Sequence, residues 1–170
     1  MAAKTGTYTL INSAVGTGSV ASFTFSSIPA TYTDLVLVVN GGITSGITDL
    51  NMRFNGDTAT NYSTTGIYGT GSVASSARAS NLTAVYIEQA AAPDTSFSYN
   101  FICNFMDYAN TTTYKTAIAR ANMVVSGRGV DFGAGLWRST AAINSITVFT
   151  TTNFSSGTTF KLYGIEAGNL

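Results

Sequence analysis

Apolar and polar residues alternate with a period of two through most of the chain. Phe23 and Phe25 alternate with Ser22, Thr24 and Ser26, and Leu50, Met52 and Phe54 alternate with Asn51 and Arg53. Phe97, Tyr99, Phe101, Cys103 and Phe105 alternate with Ser98, Asn100 and Asn104, with Ile102 as the exception. The same pattern runs through Tyr114, Thr116 and Ile118, through Ile146 and Val148, and through Phe160 and Leu162. Successive side chains of a strand point to opposite faces, so this alternation marks half-buried strands. The run Asp34 to Asn40, DLVLVVN, is apolar on both faces and reads as a central strand covered on both sides, or one at a subunit contact. No segment keeps a helical period beyond two turns. The best helix candidate, Leu82 to Ala92, stops at Pro93, and its first part reads as strand. Turn signals at Ser27-Ile28-Pro29, Asn40-Gly41-Gly42, Asn55-Gly56-Asp57, Pro93-Asp94, Ser126-Gly127 and Ser156-Gly157 separate the runs.

These patterns predict an all-β chain: an antiparallel β-sandwich, jelly-roll-like, of roughly eight to ten strands. The expected core is Phe23, Phe25, Leu35, Leu37, Phe54, Phe101, Ile118, Ile146 and Leu162. A length of 170 residues suits one domain. Residues 55–81 resist the pattern, being Gly, Ser, Thr, Ala and Asn with scattered Tyr62, Ile67, Tyr68 and Val73. They read as a long excursion that packs on a neighbour, and removing it is expected to leave a folded sandwich. The heptapeptide GTGSVAS occurs at Gly16 to Ser22 and again at Gly69 to Ser75, with unlike flanks, so coincidence outweighs duplication.

Composition excludes several kinds of chemistry. Charged residues are 9% of the chain, the formal net charge is zero and there is no histidine. Without a basic cluster there is no counterion-release term, so no nucleic-acid partner is expected. Without histidine, Ser-His-Asp and Cys-His catalysis and His-ligated metal sites fall away. Thr, Ser, Gly and Asn make up 75 of the residues, so the surface is hydroxyl and amide. Such a surface has little electrostatic defence against self-association, which fits a multimer or a large particle. The longest apolar run, Leu35 to Val39, is far too short to span a bilayer, so no membrane partner is expected. The N-terminus MAAKTGTYTLIN has no apolar core of signal-peptide type.

Candidate sites are few. The eight carboxylates mostly neighbour turn signals, where Asp bends or caps backbone, so no catalytic pair is assigned. Asn55 to Asn61 carries three carboxylate or amide side chains, but the spacing matches no calcium loop, and no metal or cofactor is expected. Cys103 lies on an apolar strand face and reads as a small buried hydrophobe. Trp137, the one tryptophan, is assigned to a core or an interface rather than to a sugar. Tyr62, Ile67, Tyr68, Arg78, Trp137 and Arg138 form the candidate protein interface, because aromatics and Arg are enriched there.

The segment Leu50 to Ser63, LNMRFNGDTATNYS, resembles a motif of small structural proteins from the virions of tailed bacteriophages, L-x-x-R-F-N-x-D followed by N-Y-S. Leu136 to Phe149, LWRSTAAINSITVF, and Phe160 to Ile165, FKLYGI, are similar to the final strands of that group. The resemblance implies no catalytic residues. It implies a virion location and a β-sandwich module of head decoration, tail fibre or baseplate. The expected function is a capsid cement or decoration protein on the outer surface of the head. It would bind the major capsid protein and neighbouring copies of itself, as a homotrimer, by multivalent contacts. The alternative is a tail-fibre or baseplate module that binds host-surface glycans through Tyr62, Tyr68 or Trp137.

Overall fold

The computed structural model describes residues 7–87, 90–97, 99–123 and 129–166. Those residues form eleven strands and no helix. In chain order they are β1 (Tyr8–Val15), β2 (Ser22–Phe25), β3 (Asp34–Gly41), β4 (Asn51–Phe54), β5 (Tyr62–Gly69) and β6 (Ala74–Leu82). There follow β7 (Tyr99–Met106), β8 (Lys115–Asn122), β9 (Val130–Trp137), β10 (Ile146–Phe149) and β11 (Thr159–Ile165). Every pairing is antiparallel. The large sheet has eight strands in the order β1-β11-β3-β7-β8-β9-β5-β6, and the small sheet has three, β2-β10-β4. The all-β antiparallel sandwich expected from the alternation is the observed architecture. Its layers are unequal, unlike the paired four-stranded sheets of a jelly roll.

The core lies between the sheets. Leu35, Leu37, Phe101, Cys103, Phe105 and Leu162 from the large sheet meet Phe25, Met52, Phe54, Ile146 and Val148 from the small one. Three strands cannot cover eight, and the chain extends the second layer with irregular backbone. Val85 bridges Met52 through N–O contacts of 2.7 and 2.9 Å, and Asp94 bridges Ile47. Val85 and Ile87 then lie against β9, where the two middle inward positions are Gly133 and Gly135. A Cβ added at Gly135 would sit 2.4 Å from Val85 Cγ1, and one at Gly133 would sit 2.8 Å from Ile87 Cγ2. Glycine is needed there because another chain segment approaches its backbone.

Several expectations change. Ile118 faces outward, and the inward residues of β8 are Lys115, Ala117, Ala119 and Ala121. The apolar side of that run was misassigned because its buried side is alanine with one lysine. Phe23 is half-buried and packs on the rim of the core. Phe97 precedes β7 and is exposed, with φ 58°. Residues 55–81 are no excursion: most of them form β5 and β6, and β5 sits between β9 and β6 in the large sheet. Deleting residues 57–80 would remove all of β5, with the buried Tyr62, and all but two residues of β6. The stretch weighed as a helix is irregular at 83–87. Glu88, Ser98 and the Ser126-Gly127 turn lie outside the described residues.

The two GTGSVAS copies adopt one local turn. The third residue is left-handed in both, Gly18 at φ 86° and Gly71 at φ 89°. In both the Thr and Ser hydroxyls meet, Thr17 with Ser19 at 2.8 Å and Thr70 with Ser72 at 3.2 Å. The first copy carries the chain from β1 to β2 in the other sheet, and the second closes the β5–β6 hairpin. The likeness ends at the turn.

Candidate functional site

The motif LNMRFNGDTATNYS builds a latch between the sheets. Phe54 O accepts a hydrogen bond from Asp57 N at 2.9 Å, and Asn55 and Gly56 have φ of 51° and 68°. That is a type I′ turn, which Asn-Gly favours. Asn55 Oδ1 accepts from Asn144 N at 2.9 Å and Ser145 N at 3.1 Å, while its Nδ2 donates to Ala142 O at 2.8 Å. Asp57 Oδ2 accepts from Trp137 Nε1 at 2.7 Å and Asn61 Nδ2 at 2.9 Å, and Oδ1 accepts from Ala59 N at 2.9 Å. Hydrogen bonds from Asn61 and Trp137 hold the Asp57 carboxyl below its ordinary range, aided by Ala59 N–H and by the charge of Arg53, against partial burial. Tyr62 Oη donates to Asp57 O at 3.0 Å, and burial pushes its pKa up to about 12. Arg53 lies over the Phe149 ring, 4.5 Å from its centroid. These oxygens are engaged within the fold, so the segment acts as architecture.

This placement divides the candidate interface. Tyr62 and Trp137 are buried at 0% and 3% exposure and stack with ring centroids 6.3 Å apart. They belong to the core, because the latch draws both rings inward. Arg138 is half-buried and donates to Thr60 O at 2.6 Å. Ile67 and Arg78 are exposed and Tyr68 is half-buried, all on the β5–β6 hairpin.

Three other carboxylates serve the backbone too. Asp131, buried on the inner face of β9, accepts from Ala90 N at 3.0 Å and Ala91 N at 2.7 Å, which ties the irregular layer down. Asp94 accepts from Ser96 N at 2.7 Å, and Asp34 from Asp107 N at 2.8 Å. Lys115 is buried and donates to Thr113 O at 2.7 Å and Thr140 O at 3.2 Å. Burial lowers its pKa, with the Asp107 charge acting the other way. Among the described residues no three His, Cys, Asp or Glu side chains group as a metal site.

What remains is the outer face of the large sheet, on which no strand of the described chain packs, although its own neighbours bury Val36 at 1% exposure and half-bury Val38, Ile102 and Ile118. Register places its residues in rows. One row runs Leu10, Tyr163, Val36, Asn104, Ile118, Ala134, Thr65, Arg78. The next runs Ser13, Lys161, Val38, Ile102, Arg120, Phe132, Ile67, Ser76. Phe132 is 54% and Ile67 62% exposed. With Tyr68, Val130 and Ala74 they line an open groove of ≈ 550 Å³ at the β9–β5–β6 end. A smaller polar hollow of ≈ 440 Å³ beside Arg78 is lined by Ser63, Thr65 and Ser80. Phe132 and Val130 escaped the sequence reading, although VDFGAGLW alternates clearly. Before Trp137 its inward positions are Asp131 and two glycines, so Val130 and Phe132 mark the outer face.

No family model and no curated protein matches the chain. Among solved structures it is similar to a protein of unknown function from Shewanella oneidensis MR-1, at 12% identity over 98% of this chain and 79% of that one. The TM-score is 0.22, too low to inform either fold or function.

Proposed function

We propose that this chain is a structural protein of a tailed-phage virion that binds the outside of the head as a cement or decoration protein. The observation that carries the reading is the uncovered outer face of the large sheet, with apolar side chains in adjacent rows across it. Antiparallel sheets can leave one face in water, but such a face is normally polar. Contiguous apolar surface on this scale marks an interaction site. The resemblance of LNMRFNGDTATNYS to virion proteins supplies the context, and the low charge content suits a protein whose working state is assembled. Multivalent docking on a lattice would sum many modest contacts into a stable shell. The threefold assembly of copies belongs to the same proposal, with the edge strand β6 of the large sheet as its contact.

The glycan-binding alternative is weakened by burial of two of its three rings, Tyr62 and Trp137. The test is addition of purified protein to heads that lack it. We expect added density on the outside of the head by electron microscopy and a higher temperature of head rupture. Density only on tails, or none on heads, would overturn the proposal. Sedimentation of the free protein checks the threefold state.

A further inference from the structure

We propose that the outer face of the large sheet docks on a protein surface of the shell that presents carboxylates around an apolar strip, with Arg120 and Lys161 receiving the carboxylates and Phe132 and Ile67 as apolar anchors. The inference rests on the head-binding reading and assigns the contact and its chemistry.

Area is the first argument. Eight strands at about 4.8 Å spacing, each about eight residues at about 3.3 Å per residue, present roughly 1,000 Å². A stable, specific interface needs about that much per partner.

Charge decides the occupant. Arg120, Lys161 and Arg78 are exposed on this face, and no hydrogen bond or ion pair holds Arg120 or Lys161 among the described residues. The one carboxylate among the described outward strand residues, Asp34, stands in the row Ile165–Asp34–Met106, two outward rows from Lys161 and Arg120, and one of its oxygens accepts the Asp107 N–H. A second copy laid face to face would therefore set three cations and one carboxylate against the same excess of cations, which like-charge repulsion opposes. A partner with carboxylates is complementary. Arg120 on β8 and Lys161 on β11 lie three strand spacings apart in one row, so those carboxylates should be about 14 Å apart. Val38 and Ile102 fill the interval. Beyond Arg120, Phe132 and Ile67 border the groove, which would take an apolar side chain of the partner. Arginine beside an exposed aromatic is the composition of an interface hot spot.

The experiment uses the purified full chain and heads of the encoding phage stripped of it. Binding is read by cosedimentation at low and high salt, and self-association by sedimentation velocity. The variants are Phe132→Asp and the pair Arg120→Glu with Lys161→Glu, all exposed positions whose folding is checked by circular dichroism. We expect each variant to bind heads at least tenfold more weakly. Wild-type binding should weaken with salt, and the charge-reversed pair should lose that dependence. If wild type binds heads and both variants match it, the contact lies elsewhere, and the inference falls while the head-binding reading stands. If Phe132→Asp alone weakens binding and salt has no effect, the carboxylate partner is excluded. If wild type self-associates and Phe132→Asp turns it into monomers, a second copy covers the face. If wild type neither binds heads nor associates, both readings fall together.

Discussion

The two faces of the large sheet are made from the same eight strands and carry different tasks. On the inner face, size varies to fit what lies opposite. Phe101, Phe105 and Leu37 fill the space under the small sheet, alanines line β8, and glycines on β9 admit Val85 and Ile87. Polar groups there are rare and engaged, as with Asp131 and Lys115. On the outer face, large apolar side chains stand beside free cations with nothing packed over them. The inner face is shaped by packing within the molecule, and the outer face by something outside it. Substitutions on the two faces should therefore affect different measurements.

The largest contrast is between Leu37 and Phe132. Leu37 is fully buried, and Leu37→Ala should lower stability by about 2–5 kcal/mol in urea titration. Phe132→Ser on the outer face should stay within about 0.5 kcal/mol of wild type. A large loss at Phe132 would mean that the outer ring supports the fold, and the division between faces would fail.

Trp137 tests the latch that joins the large sheet to the turn after β4 of the small one. Trp137→Phe keeps most of the ring stack on Tyr62 but removes the Nε1–H bond to Asp57. A hydrogen bond to a charged group contributes about 1.5–3 kcal/mol, and a loss in that range is expected. Gly135→Ala probes the glycine side of β9. Its methyl would press on Val85, and overpacking of this kind costs about 1–3 kcal/mol. Ala134→Val, one residue away on the outer face, should be nearly neutral in the same titration.

These positions also explain how much of the molecule could be read in advance. Strands such as Phe101 to Phe105 were legible because their buried side is large and apolar. In β8 the buried side is Lys115 and three alanines, so alternation pointed to the wrong face and Ile118 was placed inside. β5 and β6 carry mostly small residues, whose pattern cannot distinguish a strand from a loop. The pairing of Trp137 with Asp57 spans 80 residues, and neither residue signals the other locally. The apolar outer face was legible in part, through Ile67 and through the two-sided run Asp34 to Asn40. Its continuity appears only once register aligns Val38, Ile102, Arg120 and Phe132 across strands.

The smallest effect expected is the pH response of the latch. Asn61 and Trp137 hold the Asp57 carboxyl below its ordinary range, so the folded protein binds that proton less readily than the unfolded chain. The sign follows from linkage. The stabilisation is fully present above the ordinary aspartate range, and it is lost as pH falls through the lowered value. Asp57→Asn keeps an acceptor for Trp137 but has no charge to protonate, so its urea midpoint should decline less than that of wild type between pH 5 and about pH 3. Arg120→Glu with Lys161→Glu gives the control at neutral pH. It changes the charge of the outer face without touching the latch, so at pH 7 it should alter head binding and leave the urea midpoint near wild type. If Asp57→Asn loses stability on acidification as steeply as wild type, the acid response originates in other carboxylates and the latch is not its source.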